Sequence, residues 1–171
     1  MPKLAALAVS VGLLAVVATW LFGLAPLTAM KLQVWQAFIA WGCHFHSGGK
    51  RAGSRATVVC MIFGAVVGMV AVLLAQHLGP LGSLAAPVAV GLGATLIVVS
   101  SKVPLLETIP ASVYGFAAIA GLILLGAGMT PTAALLPTAL SILIGAAFGY
   151  VSEIIADALT KKEPAVAAAA A

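Results

Sequence analysis

Charge in this chain is confined to short islands. Its eight basic and four acidic residues leave residues 4–30, 32–49, 56–101 and 108–152 without a single Asp, Glu, Lys or Arg. A helix crossing a hydrocarbon core of about 30 Å needs roughly 20 apolar residues at 1.5 Å each. The first interval therefore holds one span, the second one short span, and the last two hold two each. Hydrophobic residues make up 63 % and charged residues 7 % of the chain, whereas a soluble domain carries about 25 % charge. These proportions exclude an ordinary water-soluble fold.

The expected fold is all-α: a polytopic transmembrane helix bundle with spans near 4–24, 32–47, 56–78, 84–101, 109–128 and 132–152. Turns are signalled by Gly79-Pro80-Leu81-Gly82-Ser83 and by Gly126 to Pro131. The apolar run after Lys3 outlasts a signal-peptide core, so it is read as a retained first span. One transmembrane domain would cover 1–162, followed by a disordered Ala-rich tail over 163–171. Cytoplasmic loops retain Lys and Arg. An inside N-terminus puts Lys3, Lys50, Arg51, Arg55, Lys102, Lys161 and Lys162 on the cytoplasmic side and Lys31 alone outside. Both termini are then expected in the cytoplasm.

Two segments recur. Leu4-Ala5-Ala6 returns as Leu84-Ala85-Ala86, and Gly64-Ala65-Val66-Val67-Gly68 returns as Gly145-Ala146-Ala147-Phe148-Gly149. Trp41-Gly42 resembles Tyr114-Gly115 across a smaller offset. Three spans per half would make a 3+3 inverted repeat, a plan common among channels and secondary transporters. Small residues at helical spacing suggest packing faces: Ala8, Gly12, Ala15, Thr19 and Gly23 on the first span, Cys60, Gly64, Gly68, Ala71 and Ala75 on the third, and Thr138, Ser141, Gly145, Gly149 and Ser152 on the sixth.

Polar residues inside the spans mark a candidate solute path. Gln33, Gln36 and His44 share a face of the second span, Ser112 and Tyr114 open the fifth, and Thr138 and Ser141 lie on the sixth. Trp35 and Trp41 read as interfacial aromatics, and Glu153, Asp157 and Lys161 as a solvated extension of the last helix. Cys43, His44, His46, Cys60 and His77 are metal-ligand types, but His77 falls on the opposite side of the membrane, so no metal site is assigned. No span contains an acidic or basic residue of the kind that proton-coupled carriers bury. No nucleotide loop, zinc-protease pair or nucleophile elbow occurs. These absences lead to no catalytic residue, no cofactor and no nucleic-acid partner.

Trp41-Gly42-Cys43-His44-Phe45-His46-Ser47-Gly48-Gly49, with Ile109-Pro110-Ala111-Ser112-Val113-Tyr114-Gly115-Phe116 and the Gly-Ala-x-x-Gly close of the last span, resembles the small bacterial inner-membrane family of unknown function typified by YcdZ. The resemblance implies a six-helix or similar membrane protein and brings no substrate or catalytic residue with it. The expected function is a channel or facilitator for a neutral or weakly polar small solute, not proton-coupled, probable partners being the lipid bilayer, the solute and further copies in a homo-oligomer. The alternative expectation is a non-transporting membrane scaffold or accessory subunit.

Overall fold

The computed structural model describes residues 1–126 and 128–160; the tail expected to be disordered lies outside them. The described chain is helical: α1 (Lys3–Phe22), α2 (Ala25–Ala29), α3 (Val34–His46), α4 (Lys50–His77), a 3-10 turn (Gly79–Leu84), α5 (Ala85–Ser100), a second 3-10 turn (Pro104–Leu106), α6 (Ile109–Leu125) and α7 (Pro131–Leu159). Local chemistry fixes several ends. Gly48 and Gly49 take positive φ between α3 and α4, which reverses the chain within a few residues. Thr130 caps α7 by accepting a hydrogen bond from the Ala133 amide, with Pro131 at the first helical position.

Six helices follow the six expected segments, but their lengths differ. Four stretches are long and apolar enough to cross a membrane: Lys3–Phe22, Lys50–His77, Gly79–Ser100 and Pro131–Leu159. α6 has 17 residues and α3 only 13. At 1.5 Å per residue α3 reaches about 20 Å, well short of a hydrocarbon core. α4 begins at Lys50, so the basic cluster through Arg55 is helix and not loop. α7 runs on to Leu159 and takes Glu153 with it.

α4 and α7 cross at the centre. α6 packs most extensively on α4, and α3 on α7; α5 covers the outer side of α4 and α1 that of α7. Glycine brings the inner pairs together backbone to backbone. A Cβ at Gly64 would fall 1.8 Å from the Ser112 carbonyl oxygen, and one at Gly115 would fall 1.9 Å from that of Met61. On the other side, a Cβ at Gly145 would fall 2.1 Å from the Ala37 carbonyl oxygen. Lipid offers no hydrophobic drive between helices, so this proximity is what supplies the dispersion contacts. The bundle centre is filled by Ala40, Cys43, Cys60, Met61, Ala111 and Ile142.

The small-residue faces expected on the third and sixth spans are buried, Ala75 excepted as half-buried. The face expected on the first is not. α1 buries Ala6, Ser10, Ala18 and Phe22 and leaves Ala8, Gly12, Thr19 and Gly23 exposed. Ser10 Oγ donates to the Ser152 carbonyl at 2.8 Å and sets that orientation. The Met1 amino group donates to the Leu159 carbonyl at 3.0 Å, so the two ends of the described chain lie together. Leu4, Leu13, Val16 and Trp20 on α1 and Leu92, Val98 and Val99 on α5 present bare apolar surface outward, as a lipid-facing ring would.

Gly64→Ala and Gly145→Ala are each expected to destabilise the bundle by about 1–3 kcal/mol through overpacking. Gly12→Ala, with nothing within 4 Å of the added methyl, should be neutral or slightly stabilising. Unfolding midpoints in detergent check the contrast.

Candidate functional site

Where α3 begins, its polar residues meet α7. Gln33 precedes the helix in extended geometry, and its backbone N–H donates to Ser141 Oγ at 3.0 Å. Its side chain is satisfied locally: Nε2 donates to the Lys31 carbonyl and Oε1 accepts from Trp35 Nε1. Gln36 lies one turn deeper and is wholly buried. Its Nε2 donates to the Ala118 carbonyl at 2.9 Å and to Thr138 Oγ1 at 3.0 Å. A carbonyl can only accept, so Ala118 fixes the amide nitrogen on its side. Gln36 Oε1 is left with no partner. Pro137, buried inside α7 beside Thr138, also withdraws one helix N–H here.

A second polar group lies on α4 and α6. Ser112 Oγ is fully buried and likewise unpartnered, and Thr57 Oγ1, equally buried, has only the Cys43 thiol beside it. Helical Ser and Thr hydroxyls ordinarily turn back to the preceding carbonyl, as Thr19 and Thr95 do on the exposed surfaces of α1 and α5. Cys60 Sγ meets the Leu105 carbonyl at 3.5 Å. The two polar groups lie either side of the packed centre around Met61 and Ile142.

Each end of the bundle carries a recess. One, of about 600 Å³, lies among the end of α1, the start of α3 and the end of α6, and includes Thr19, Lys31, Gln33 and Leu122. The other, of about 280 Å³, lies between the start of α4 and the link into α6, and includes Arg55, Leu105, Glu107 and Thr108.

His44 belongs to a different cluster. Two turns beyond Gln36, it is fully buried, with Nε2 at 2.9 Å from Glu153 Oε2 and Nδ1 at 3.0 Å from Ser54 Oγ. The Lys50 backbone N–H also donates to Glu153 Oε2. Glycines make the room: a Cβ at Gly149 would strike the imidazole, and one at Gly49 would strike the Glu153 carboxylate. Glu153 is therefore not part of a solvated extension; its side chain is only 26 % exposed. Trp41 is not interfacial either. It is buried, and its Nε1 donates to Ser152 Oγ at 3.1 Å.

The seven candidate residues thus divide. Gln36 joins Thr138, Gln33 joins Ser141, Ser112 packs by its backbone against Gly64, and His44 joins Glu153. Tyr114 meets His46 edge-on across a lateral groove of about 430 Å³ between α3 and α6. Among the described residues no three His, Cys, Asp or Glu side chains come close enough to share a metal ion. His77 bonds its own helix at the far end of α4. Thr57, Ser54 and Glu153 were missed by sequence reasoning because all three sit at or beside the charge islands that were read as span ends.

A family model described as a protein of unknown function, DUF1097, matches residues 8–157. No curated protein and no solved structure matches the chain.

An unpartnered buried hydroxyl costs about 1–3 kcal/mol. Thr57→Val, which removes one, is expected to raise the unfolding midpoint. Thr138→Val, which takes away a partner of the Gln36 amide, is expected to lower it by about 1 kcal/mol. Detergent unfolding of the two valine variants reads the opposite signs.

Proposed function

The chain belongs to the DUF1097 family, and we propose that it is a membrane facilitator for a small neutral solute bearing hydrogen-bond donors or acceptors. One observation carries the reading. Polar atoms without partners lie buried on both sides of an apolar centre: Gln36 Oε1 between α3 and α7, and Thr57 Oγ1 and Ser112 Oγ on α4 and α6. A bundle selected only for stability would cap or replace them. A solute passing from one recess to the other would meet an acceptor and two hydroxyls, with no fixed charge beside them. A neutral amide or polyol suits such groups better than an ion, whose desolvation they would not offset.

An inverted repeat gives the reading its geometry. α4 (Lys50–His77) and α7 (Pro131–Leu159) begin 81 residues apart, as do Gly64 and Gly145, Gly68 and Gly149, and Thr57 and Thr138. α3 and α6 begin 75 residues apart, and so do Ala37 and Ser112, the residues against which Gly145 and Gly64 close. That offset fits the packing better than the Trp41-Gly42 and Tyr114-Gly115 match. α4 also relates to α5 and α6 as α7 relates to α1 and α3. Such a pairing is that of two halves turned over in the membrane plane, with the path near the pseudo-two-fold axis. Thr138 faces Gln36, whereas Ala111 stands 75 positions after Gln36, so the amide has no equivalent on α6.

The same reading places the protein in a bacterial inner membrane as a homo-oligomer with both ends inside. Met1 and Leu159 at one end of the bundle support an even number of crossings. A periplasm-active reporter fused after Lys162 should then be silent.

Reconstituted liposomes should pass at least one of urea, acetamide or glycerol faster than protein-free vesicles. Gln36→Leu and Ser141→Leu should cut that flux by about tenfold, the equivalent of one lost hydrogen bond of about 1.4 kcal/mol at the barrier. A panel in which no solute outpaces empty vesicles refutes transport. Copurification of a stoichiometric second membrane protein in that case supports an accessory subunit instead.

A further inference from the structure

Hydrogen-bond counting around His44 reveals a site with a ligand of its own. Ser54 Oγ lies 3.1 Å from the Lys50 carbonyl and 3.0 Å from His44 Nδ1. The carbonyl can only accept, so while Ser54 donates its single hydroxyl proton there, Ser54 Oγ accepts from Nδ1–H. On the other side of the ring, Nε2 and Glu153 Oε2 stand 2.9 Å apart and need a proton between them. The Lys50 amide donates to the same oxygen. With Ser54 donating to the Lys50 carbonyl, both imidazole nitrogens carry a proton against a carboxylate; with Ser54 turned to donate to Nδ1, the same distances hold with one proton fewer.

We propose that His44, Glu153 and Ser54 form a proton-binding clasp that ties α3, α4 and α7 together and holds this end of the path shut while the proton is bound. Release balances simply. The Nδ1 proton passes to Ser54 Oγ as the hydroxyl's own proton leaves for water, which half-buried Ser54 can reach. Ser54 then donates to Nδ1, Nε2–H still donates to Glu153, and the Lys50 carbonyl loses its hydroxyl partner. The loaded clasp is a neutral ion pair with one more hydrogen bond; the empty one is a lone carboxylate beside a neutral ring. In a low-dielectric setting the loaded form grips harder. Histidine is the side chain whose charge changes nearest neutrality.

Among the described residues the clasp has charged and titratable neighbours on α1, α3, α4 and α7, and Arg51 of α4 meets Tyr150 of α7 across the same helix pair. Lys3 of α1, Lys50 of α4, and Glu153 and Asp157 of α7 line a small recess of about 110 Å³ beside Phe45. Cys43 lies next to His44 on α3 and packs in the bundle centre with Cys60. Proton occupancy is thus placed where it controls the packing of α3 against α7, one turn from the apolar centre. The proton acts here as a gate and not as a driven co-substrate.

The control of flux rests on the facilitator reading, but proton binding is measurable without it. Hydrogen exchange of the full chain in lipid nanodiscs, corrected for the intrinsic pH dependence of amide exchange, reads the clasp directly. Protection over residues 48–54 is expected to be about tenfold higher near pH 6 than near pH 8.5. His44→Gln, Glu153→Gln and the conservative Ser54→Ala should each bring that ratio close to one. Imidazole nitrogen NMR should show His44 with both nitrogens protonated at the lower pH and one at the higher. Equal protection at both pH values, or a pH dependence that survives His44→Gln, overturns the clasp. If exchange responds to pH but no solute crosses, only the facilitator reading falls; if solute crosses while exchange is flat, only the clasp falls.

Discussion

Backbone contact between helices is the constraint from which the rest of this bundle follows. Lipid gives helices no reason to hide apolar side chains from it, so two helices adhere only where they approach closely enough for dispersion and hydrogen bonds. Gly64 and Gly115 allow that between α4 and α6, and Gly145 and Gly149 between α7 and α3. The same approach brings polar atoms into range. Gly145 rests on Ala37, the neighbour of Gln36, and Gly149 rests under the His44 ring. A side chain at either glycine would separate Gln36 from Thr138 or His44 from Glu153. On the α7–α3 side, packing and polar chemistry therefore depend on the same two residues, Gly145 and Gly149.

The sequence made the six main helical segments legible, though not which of them are long enough to cross, because charge cannot enter hydrocarbon cheaply and the islands at Lys31, Lys50–Arg55 and Lys102–Glu107 divide the chain. Helix ends were less legible for the same reason. A charge stops a span but not a helix, so α4 starts at Lys50 and α7 continues past Glu153 into a region where water can reach one face. The buried face of α1 was illegible because small residues occur all around it. What selects Ser10 over Gly12 is a hydrogen bond to a carbonyl on α7, 142 positions away.

The polar groups divide in the same way. Gln36, Thr138 and Ser141 stand out in any apolar run, and their pairing follows once α3 lies along α7. The partnership of His44 with Glu153 does not follow from either residue's neighbours. It spans 109 positions and depends on glycines 49 and 149 leaving space for a carboxylate and a ring. Absence of charge within the spans argued against ionic chemistry, yet one ionisable pair sits at the edge where the short α3 ends and the long α7 does not. The mismatch in length is what allows a buried imidazole and a partly wetted carboxylate to meet.

Under the proposed repeat, the differences between the α4–α6 and α7–α3 pairs are informative. Thr57 and Thr138 occupy matching places on α4 and α7, but Gln36 supports only one of them. Gly68 receives Phe116 and Ile119 where Gly149 receives His44. The α4–α6 pair thus has an apolar contact at the glycine position where the α7–α3 pair carries a titratable ring. A hydroxyl without an amide on one side, and an imidazole without a counterpart on the other, give the ends different chemistry while leaving the shared glycine contacts intact.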